Sequence, residues 1–284
     1  MHSKQSLAII GSGTMGNGIA HVSALSGYLV FLVDIKEEFL EKALVVISKN
    51  LQKQVDKGFI SEEEKFKALS AITITTEILD IKNVDLVIEA APESQSIKNK
   101  IFSNLDSICK PETILASNTS SISIGDLGSR TNRPDKVIGM HFMNPVPIMK
   151  LVEVISSDKT SLETRNTILD FAKSMNKIPV ECNDYPGFIS NRILMPMINE
   201  SILCLEQKVA TKDAIDDIMT LGMAHPMGPL KLADLIGLDI CLDIMNVLFK
   251  GFKDNKYKPS SLLVEMVGKG NLGRKTGKGF YNYK

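Results

Sequence analysis

Four histidines and four cysteines are scattered along the 284-residue chain, and one histidine stands where a proton-transfer group would be useful. His141 ends the apolar run Val137-Ile138-Gly139-Met140, so a strand here would present it at its carboxyl end. Glu153 interrupts a second apolar run, Leu151-Val152-Glu153-Val154-Ile155. A carboxylate in such a run is costly unless a partner meets it. If Pro145 and Pro147 turn the chain back, the two strands are antiparallel neighbours and the imidazole comes within reach of the carboxylate. Such a pair fixes the tautomer and leaves the outer nitrogen able to take a proton. A structural ion pair and an edge carboxylate facing water are the alternatives for Glu153. The remaining histidines fit this role less well. His2 is terminal, His21 reads as a packed or solvated helix residue, and His225, before Pro226, reads equally as a cap.

A second pattern supplies the other half of a reaction. The run Leu7-Ala8-Ile9-Ile10 leads into Gly11-Ser12-Gly13-Thr14-Met15-Gly16, a G-x-G-x-x-G turn opening a helix. Gly11 would make the tight turn, and Gly13 would let the backbone approach a pyrophosphate. Gly16 would let the helix pack on the strand, with the N–H groups of its first turn facing the anion. Asp34 ends the next apolar run, about 20 residues on, where a carboxylate accepts from the ribose hydroxyls of NAD and repels the 2′-phosphate of NADP. Lys36 leaves some tolerance of that phosphate open. When a hydride leaves a carbinol carbon for a nicotinamide, a base must take the hydroxyl proton. A dinucleotide turn with a strand-end histidine therefore points to histidine-assisted alcohol dehydrogenation. Ser120 and Asn191 are neutral groups able to hold substrate oxygens, although Ser120 reads equally as a serine turn.

The elements that must position these groups follow from the pattern. Apolar runs at Leu7–Ile10, Tyr28–Val33, Ile72–Thr75, Leu86–Glu89, Ile114–Ser117, Lys136–Met140, Leu151–Ile155 and Ile178–Cys182 alternate with helical stretches. This predicts an α/β Rossmann-type domain over residues 1–184. Glu37 to Lys57 predicts a long helix with Leu40, Leu44, Ile47, Leu51 and Val55 on one face. Ser61 with Glu64 is a capping-box start for a second helix, so the pair forms a hairpin larger than an ordinary crossover. Lys53 and Lys57 leave it locally positive. Residues 185–284 read as a second, all-helical domain for substrate and dimerisation. Its helices are expected at Ile193–Glu206, Lys212–Leu221, Ile240–Phe249 and Ser261–Val267, with a polar tail lying over the surface. Leu194, Met197, Leu205, Ile218, Met219 and Met223 suggest packing against a second copy, hence a homodimer.

Composition narrows the class. The chain is 44% hydrophobic and 23% charged, with 33 basic and 33 acidic side chains balancing to zero, which argues against a nucleic-acid surface. No run approaches a membrane span, and Met1-His2-Ser3-Lys4-Gln5 leads directly into the first strand without a leader. Singly placed cysteines and histidines make a metal site unexpected and suit a reducing cytoplasm.

Taken together, several stretches resemble the 3-hydroxyacyl-CoA dehydrogenase family, over essentially the whole chain. They are Ile10 to Gly16, Ser117-Asn118-Thr119-Ser120-Ser121, His141 to Glu153, Pro186 to Arg192, Pro226-Met227-Gly228-Pro229 and Gly277-Lys278-Gly279-Phe280-Tyr281. The stand-alone bacterial 3-hydroxybutyryl-CoA dehydrogenases are the most similar branch. The resemblance implies His141 as acid/base, Glu153 as its orienting partner, and Ser120 and Asn191 as contacts to the acyl-CoA substrate. It implies that Asp34, Glu93, Lys98 and Asn118 or Ser120 join the glycine turn in lining the NAD site. Lys57 on the hairpin would meet coenzyme A phosphates, and the helical domain would dimerise. The implied reaction is NAD-dependent oxidation of (3S)-3-hydroxybutyryl-CoA to acetoacetyl-CoA and its reverse. Longer 3-hydroxyacyl-CoA esters of fatty-acid β-oxidation are the alternative. Met143 and Pro92 depart from the usual family residues and bear on acyl-chain preference.

Overall fold

A computed structural model describes residues 5–283, so His2 lies outside the described residues. The chain divides into two compact units, Met1–Asp184 and Tyr185–Lys284.

The first unit is built on β1 (Ser6–Ile10), β2 (Leu29–Val33), β3 (Ile72–Thr75), β4 (Leu86–Glu89), β5 (Ile114–Ser117), β6 (Val137–Phe142), β7 (Leu151–Ser156) and β8 (Ile178–Asn183). They form one sheet in the order β3-β2-β1-β4-β5-β6-β7-β8. Strands β1 to β6 are mutually parallel, β7 runs antiparallel to β6, and β8 is parallel to β7. The sequence order of the first six strands reverses between β1 and β4, the switch point at which such sheets bind ligands. Central strands are apolar on both faces because helices cover both: Leu7, Ala8, Ile9, Val87, Ile88, Leu115 and Ile138 are all buried.

The helices of this unit are α1 (Thr14–Leu25), α2 (Glu37–Asp56), α3 (Glu62–Ser70), α4 (Gln95–Ile108), α5 (Ile124–Gly128) and α6 (Leu162–Ser174). On α2, Leu40, Ala43, Ile47 and Leu51 are buried, the stripe that its periodicity predicts, while Leu44 and Val55 lie at its margin. The start of α3 is a reciprocal cap: Glu64 N–H donates to Ser61 Oγ at 3.1 Å and Ser61 N–H donates to Glu64 Oε2 at 2.7 Å.

The second unit contains α7 (Ser190–Glu206), α8 (Lys212–Asp217), α9 (Pro229–Ile236), α10 (Leu238–Phe252) and α11 (Ser261–Gly268) around a core that includes Ile202, Leu230, Leu238, Leu248 and Leu263. Two expectations need correction. No helix is expected between Leu221 and Ile240, but Pro229–Ile236 form α9, with Pro229 at its first position, where its missing N–H costs nothing. The carboxylate of Asp216 caps that helix, accepting from Leu230 N–H at 2.8 Å and Lys231 N–H at 3.1 Å. The tail, expected over the surface, is instead tied into the core. Buried Asp234 accepts from Phe280 N–H, Tyr281 N–H and Tyr283 Oη–H, each at 2.9 Å, and Phe280 is buried. No helix among the described residues is long and apolar enough to cross a membrane.

Removing that acceptor leaves buried donors unmatched, a loss that large relative to ordinary surface changes. D234A is expected to lower stability by about 2–4 kcal/mol in urea unfolding. A change under about 0.5 kcal/mol would show that the Asp234 contacts to the tail contribute nothing to stability.

Candidate active site

The antiparallel register of β6 and β7 puts His141 directly opposite Glu153. Their Nδ1 and Oε2 atoms are 2.7 Å apart, and both side chains are buried. An ionised carboxylate only accepts, so Nδ1 carries the proton and donates, which makes Nε2 the nitrogen with the lone pair. Glu153 therefore neither faces water nor stands alone. The turn joining the strands is held from outside the pair: Lys177 Nζ donates to Val146 O at 2.5 Å and to Met149 O at 2.9 Å. Nothing in the local pattern around Lys177 announces that contact, because it closes through the sheet rather than along the chain.

The glycine turn fits a dinucleotide on three observations. Gly11 has φ +97°, and a Cβ on it would meet Ala90 O at 2.7 Å. A Cβ on Gly16 would meet Gly11 O at 1.7 Å, so only glycine lets α1 pack this closely on its own turn. Gly13 opens on free space, and as N-cap of α1 it offers no side-chain hydrogen bond and no acidic residue follows in the first turn. The first-turn N–H groups, including those of Thr14, Met15 and Gly16, are thus the donors an anion would meet. Asp34 follows β2, half-buried, and its Oδ2 accepts from both the N–H and the hydroxyl of Ser12 at 2.7 Å. The carboxylate braces the turn itself.

A third cluster lies at the carboxyl ends of β4 and β5. Lys98, buried on α4, contacts Glu89 Oε1 at 2.6 Å and Glu93 Oε2 at 3.3 Å. Glu93 Oε1 gathers the loop after β5, accepting from Thr119 Oγ1 at 2.6 Å, Ser120 N–H and Ser121 N–H at 3.0 Å, and both serine hydroxyls. Burial pushes the Glu93 carboxyl upward, but Lys98 and these donors outweigh it and hold it below the usual carboxylate range. At neutral pH this clamp is in place, and it weakens as pH falls through that lowered value. Asn118 Oδ1 accepts from Phe142 N–H at 2.9 Å, tying the same loop to β6 beside His141.

The sequence reading overlooked Glu89. The signal was available: a glutamate closing the apolar run Leu86-Val87-Ile88 is as costly alone as Glu153 within its own run. Of the other candidates, Lys57 is exposed at the C-cap of α2 on the hairpin. Asn191 is buried in the first turn of α7, in the second unit. His21 is buried in α1, its Nε2 3.4 Å from Gln54 Oε1, and burial lowers its pKa, which suits a neutral core residue. His225, half-buried, is in the loop before α9.

Comparison with known proteins agrees across the chain. Residues 6–185 match the family described as 3-hydroxyacyl-CoA dehydrogenase, NAD binding domain, and residues 187–283 match its C-terminal domain. A protein of Deinococcus radiodurans named "Probable 3-hydroxybutyryl-CoA dehydrogenase" is 54% identical, over 97% of this chain and 99% of its own length. The 3-hydroxybutyryl-CoA dehydrogenase of Clostridioides difficile is 52% identical, over 98% of this chain and 99% of its own. The crystal structure of (S)-3-hydroxybutyryl-CoA dehydrogenase from Ralstonia eutropha superposes with a TM-score of 0.97 at 45% identity, covering 99% of this chain and 100% of that one. The doubly wound sheet, its glycine turn and these matches over both units place the chain in the 3-hydroxyacyl-CoA dehydrogenase family, whose first domain binds NAD.

Proposed function

We propose that this enzyme interconverts (3S)-3-hydroxybutyryl-CoA and acetoacetyl-CoA, with His141 as the acid/base. The observation that carries the mechanism is the 2.7 Å contact between His141 Nδ1 and Glu153 at the carboxyl end of the sheet. The C4 substrate is supported by the names of the relatives with about half their residues identical to this chain. NAD, when bound, supplies the hydride acceptor for oxidation and, reduced, the donor for the reverse. The Gly11 to Gly16 turn and the first turn of α1 bind its pyrophosphate, and Asp34 meets the ribose. In oxidation Nε2 of His141 takes the proton from the substrate hydroxyl, and Glu153 stabilises the imidazolium that results. In reduction the same proton returns to the new alkoxide. Ser120, placed by Glu93, holds the acyl end of the substrate, and Lys57 meets coenzyme A phosphates. Glu93, Lys98 and Asn118 line the cofactor side.

The assembly is a homodimer through the second unit. Ile193, Ile218, Leu221 and Met223 support this, since each is more than half exposed. Within that unit, Leu194 and Leu205 pack into the core instead. The free thiols of Cys109, Cys204 and Cys241 support a reducing compartment such as the cytoplasm.

NADH oxidation should be fast with acetoacetyl-CoA, slower with a ten-carbon 3-ketoacyl-CoA, and negligible with free acetoacetate. A faster rate on the longer ester would favour fatty-acid β-oxidation as the role. H141A should lose about 100-fold or more in kcat while binding NADH normally, and E153Q should lose rate severely while staying folded. Near-normal turnover by H141A would remove the proposed base. D34A should weaken NADH and narrow the preference over NADPH; an unchanged preference would show that Asp34 serves only Ser12.

A further inference from the structure

Two carboxylates share one cation at the carboxyl end of β4. Lys98 donates to Glu89 Oε1 at 2.6 Å and Ala91 O at 3.2 Å, and forms an ion pair with Glu93 Oε2 at 3.3 Å. Glu89 is fully buried and only accepts: from Lys98, from Ala91 N–H at 2.7 Å and from Ser117 Oγ at 2.6 Å. Ser117 Oγ accepts from Thr119 N–H at 3.2 Å and gives its single proton to Glu89. Glu93 likewise receives two backbone N–H groups on Oε1. The donors and acceptors are thus those of two carboxylates and one ammonium, which leaves one negative charge in excess. Glu89 and Lys98 are shut off from water while Glu93 is 38% exposed, so the excess charge lies toward the open side of the cluster, where an arriving cation would be attracted to it.

The strand order says what crosses this point. β4 and β5 lie between β1, which carries the glycine turn, and β6, which carries His141. A dinucleotide with its pyrophosphate on the turn and its reactive end at His141 must pass over the ends of β4 and β5. Glu89 pairs in register with Ser117, and Ser117 with Gly139, so Glu89 is two strand spacings, about 10 Å, from β6. The ring that arrives there is cationic when oxidised and neutral when reduced.

We infer that Glu89, together with Glu93, biases the site toward the oxidised form of the cofactor by the excess negative charge shared on Lys98. The inference rests on the NAD-linked reading above and adds a role for Glu89, which touches neither cofactor nor substrate in that reading. Two unit charges about 10 Å apart, at an effective dielectric of about 20–40, change a binding ratio about 5- to 15-fold.

The test is the dissociation constants of NAD⁺ and NADH measured by titration calorimetry on the wild-type protein and on E89Q. The amide keeps the size of the side chain and an acceptor for Lys98 while removing the charge. The ratio Kd(NAD⁺)/Kd(NADH) is expected to rise about 5- to 15-fold in E89Q. Equal weakening of both forms would mean a purely structural role and would overturn the inference. E93Q, at a side chain 38% exposed, should raise the ratio in the same direction and serves where E89Q does not fold. An unchanged ratio in E93Q is again a refutation. Wild-type protein that bound neither form would instead contradict the NAD-linked function itself.

Discussion

A charged side chain inside a sheet has to be met by a group of complementary hydrogen bonding or charge, and this constraint shapes the working end of the first unit. Glu153 stands in a strand whose neighbours Val152 and Val154 are fully buried, so water cannot solvate it. Its solution is an imidazole on the adjacent strand, which the antiparallel pairing of β6 and β7 brings directly opposite. That pairing exists because the turn between the strands reverses the chain, breaking the parallel pattern at this one place in the sheet. The reversal is therefore what makes the pair: a parallel β7 would have required a crossover and a different register.

The same constraint recurs at β4. Glu89 and Glu93 converge on Lys98, and the loop carrying Ser120 is gathered onto Glu93. Asn118 then links that loop to the backbone of Phe142, next to His141. Polar groups on three neighbouring strand ends are thus coupled by short hydrogen bonds, which limits how far any one of them can move alone. On the far side of the switch point Asp34 performs a comparable service for the glycine turn through Ser12. Rigid placement of neutral and charged donors is what a hydride-transfer site requires, since misplacement of about 1 Å is costly in rate.

Much of this was legible in the chain because the signals are local. Glycine spacing, the Ser61–Glu64 cap and the apolar runs depend on neighbours in sequence, and His141 with Glu153 required only one turn between two strands. What was not legible closes through space. Lys177 reaches the β6–β7 turn from the start of β8, and Asp234 collects backbone N–H groups from the last residues of the chain. A glycine- and lysine-rich tail carries no pattern that would reveal a buried acceptor waiting for it. Helix α9 was not among the expected helices for a related reason: Pro226, Gly228 and Pro229 interrupt the local pattern, while the cap that makes a helix possible, Asp216, belongs to the preceding helix. Asp34 was singled out for a ribose and its contact with Ser12 was not anticipated, because the motif directs attention to the ligand rather than to the turn.

The central claim is that Glu153 holds His141 in one tautomer with Nε2 as the proton acceptor. Nitrogen NMR of histidine-labelled protein, with His141 assigned by its loss in H141N, reads this directly. The account predicts a resonance pattern with Nδ1 protonated and Nε2 unprotonated in the neutral ring, and loss of that preference in E153Q. A neutral His141 protonated on Nε2 in the wild-type protein would contradict it.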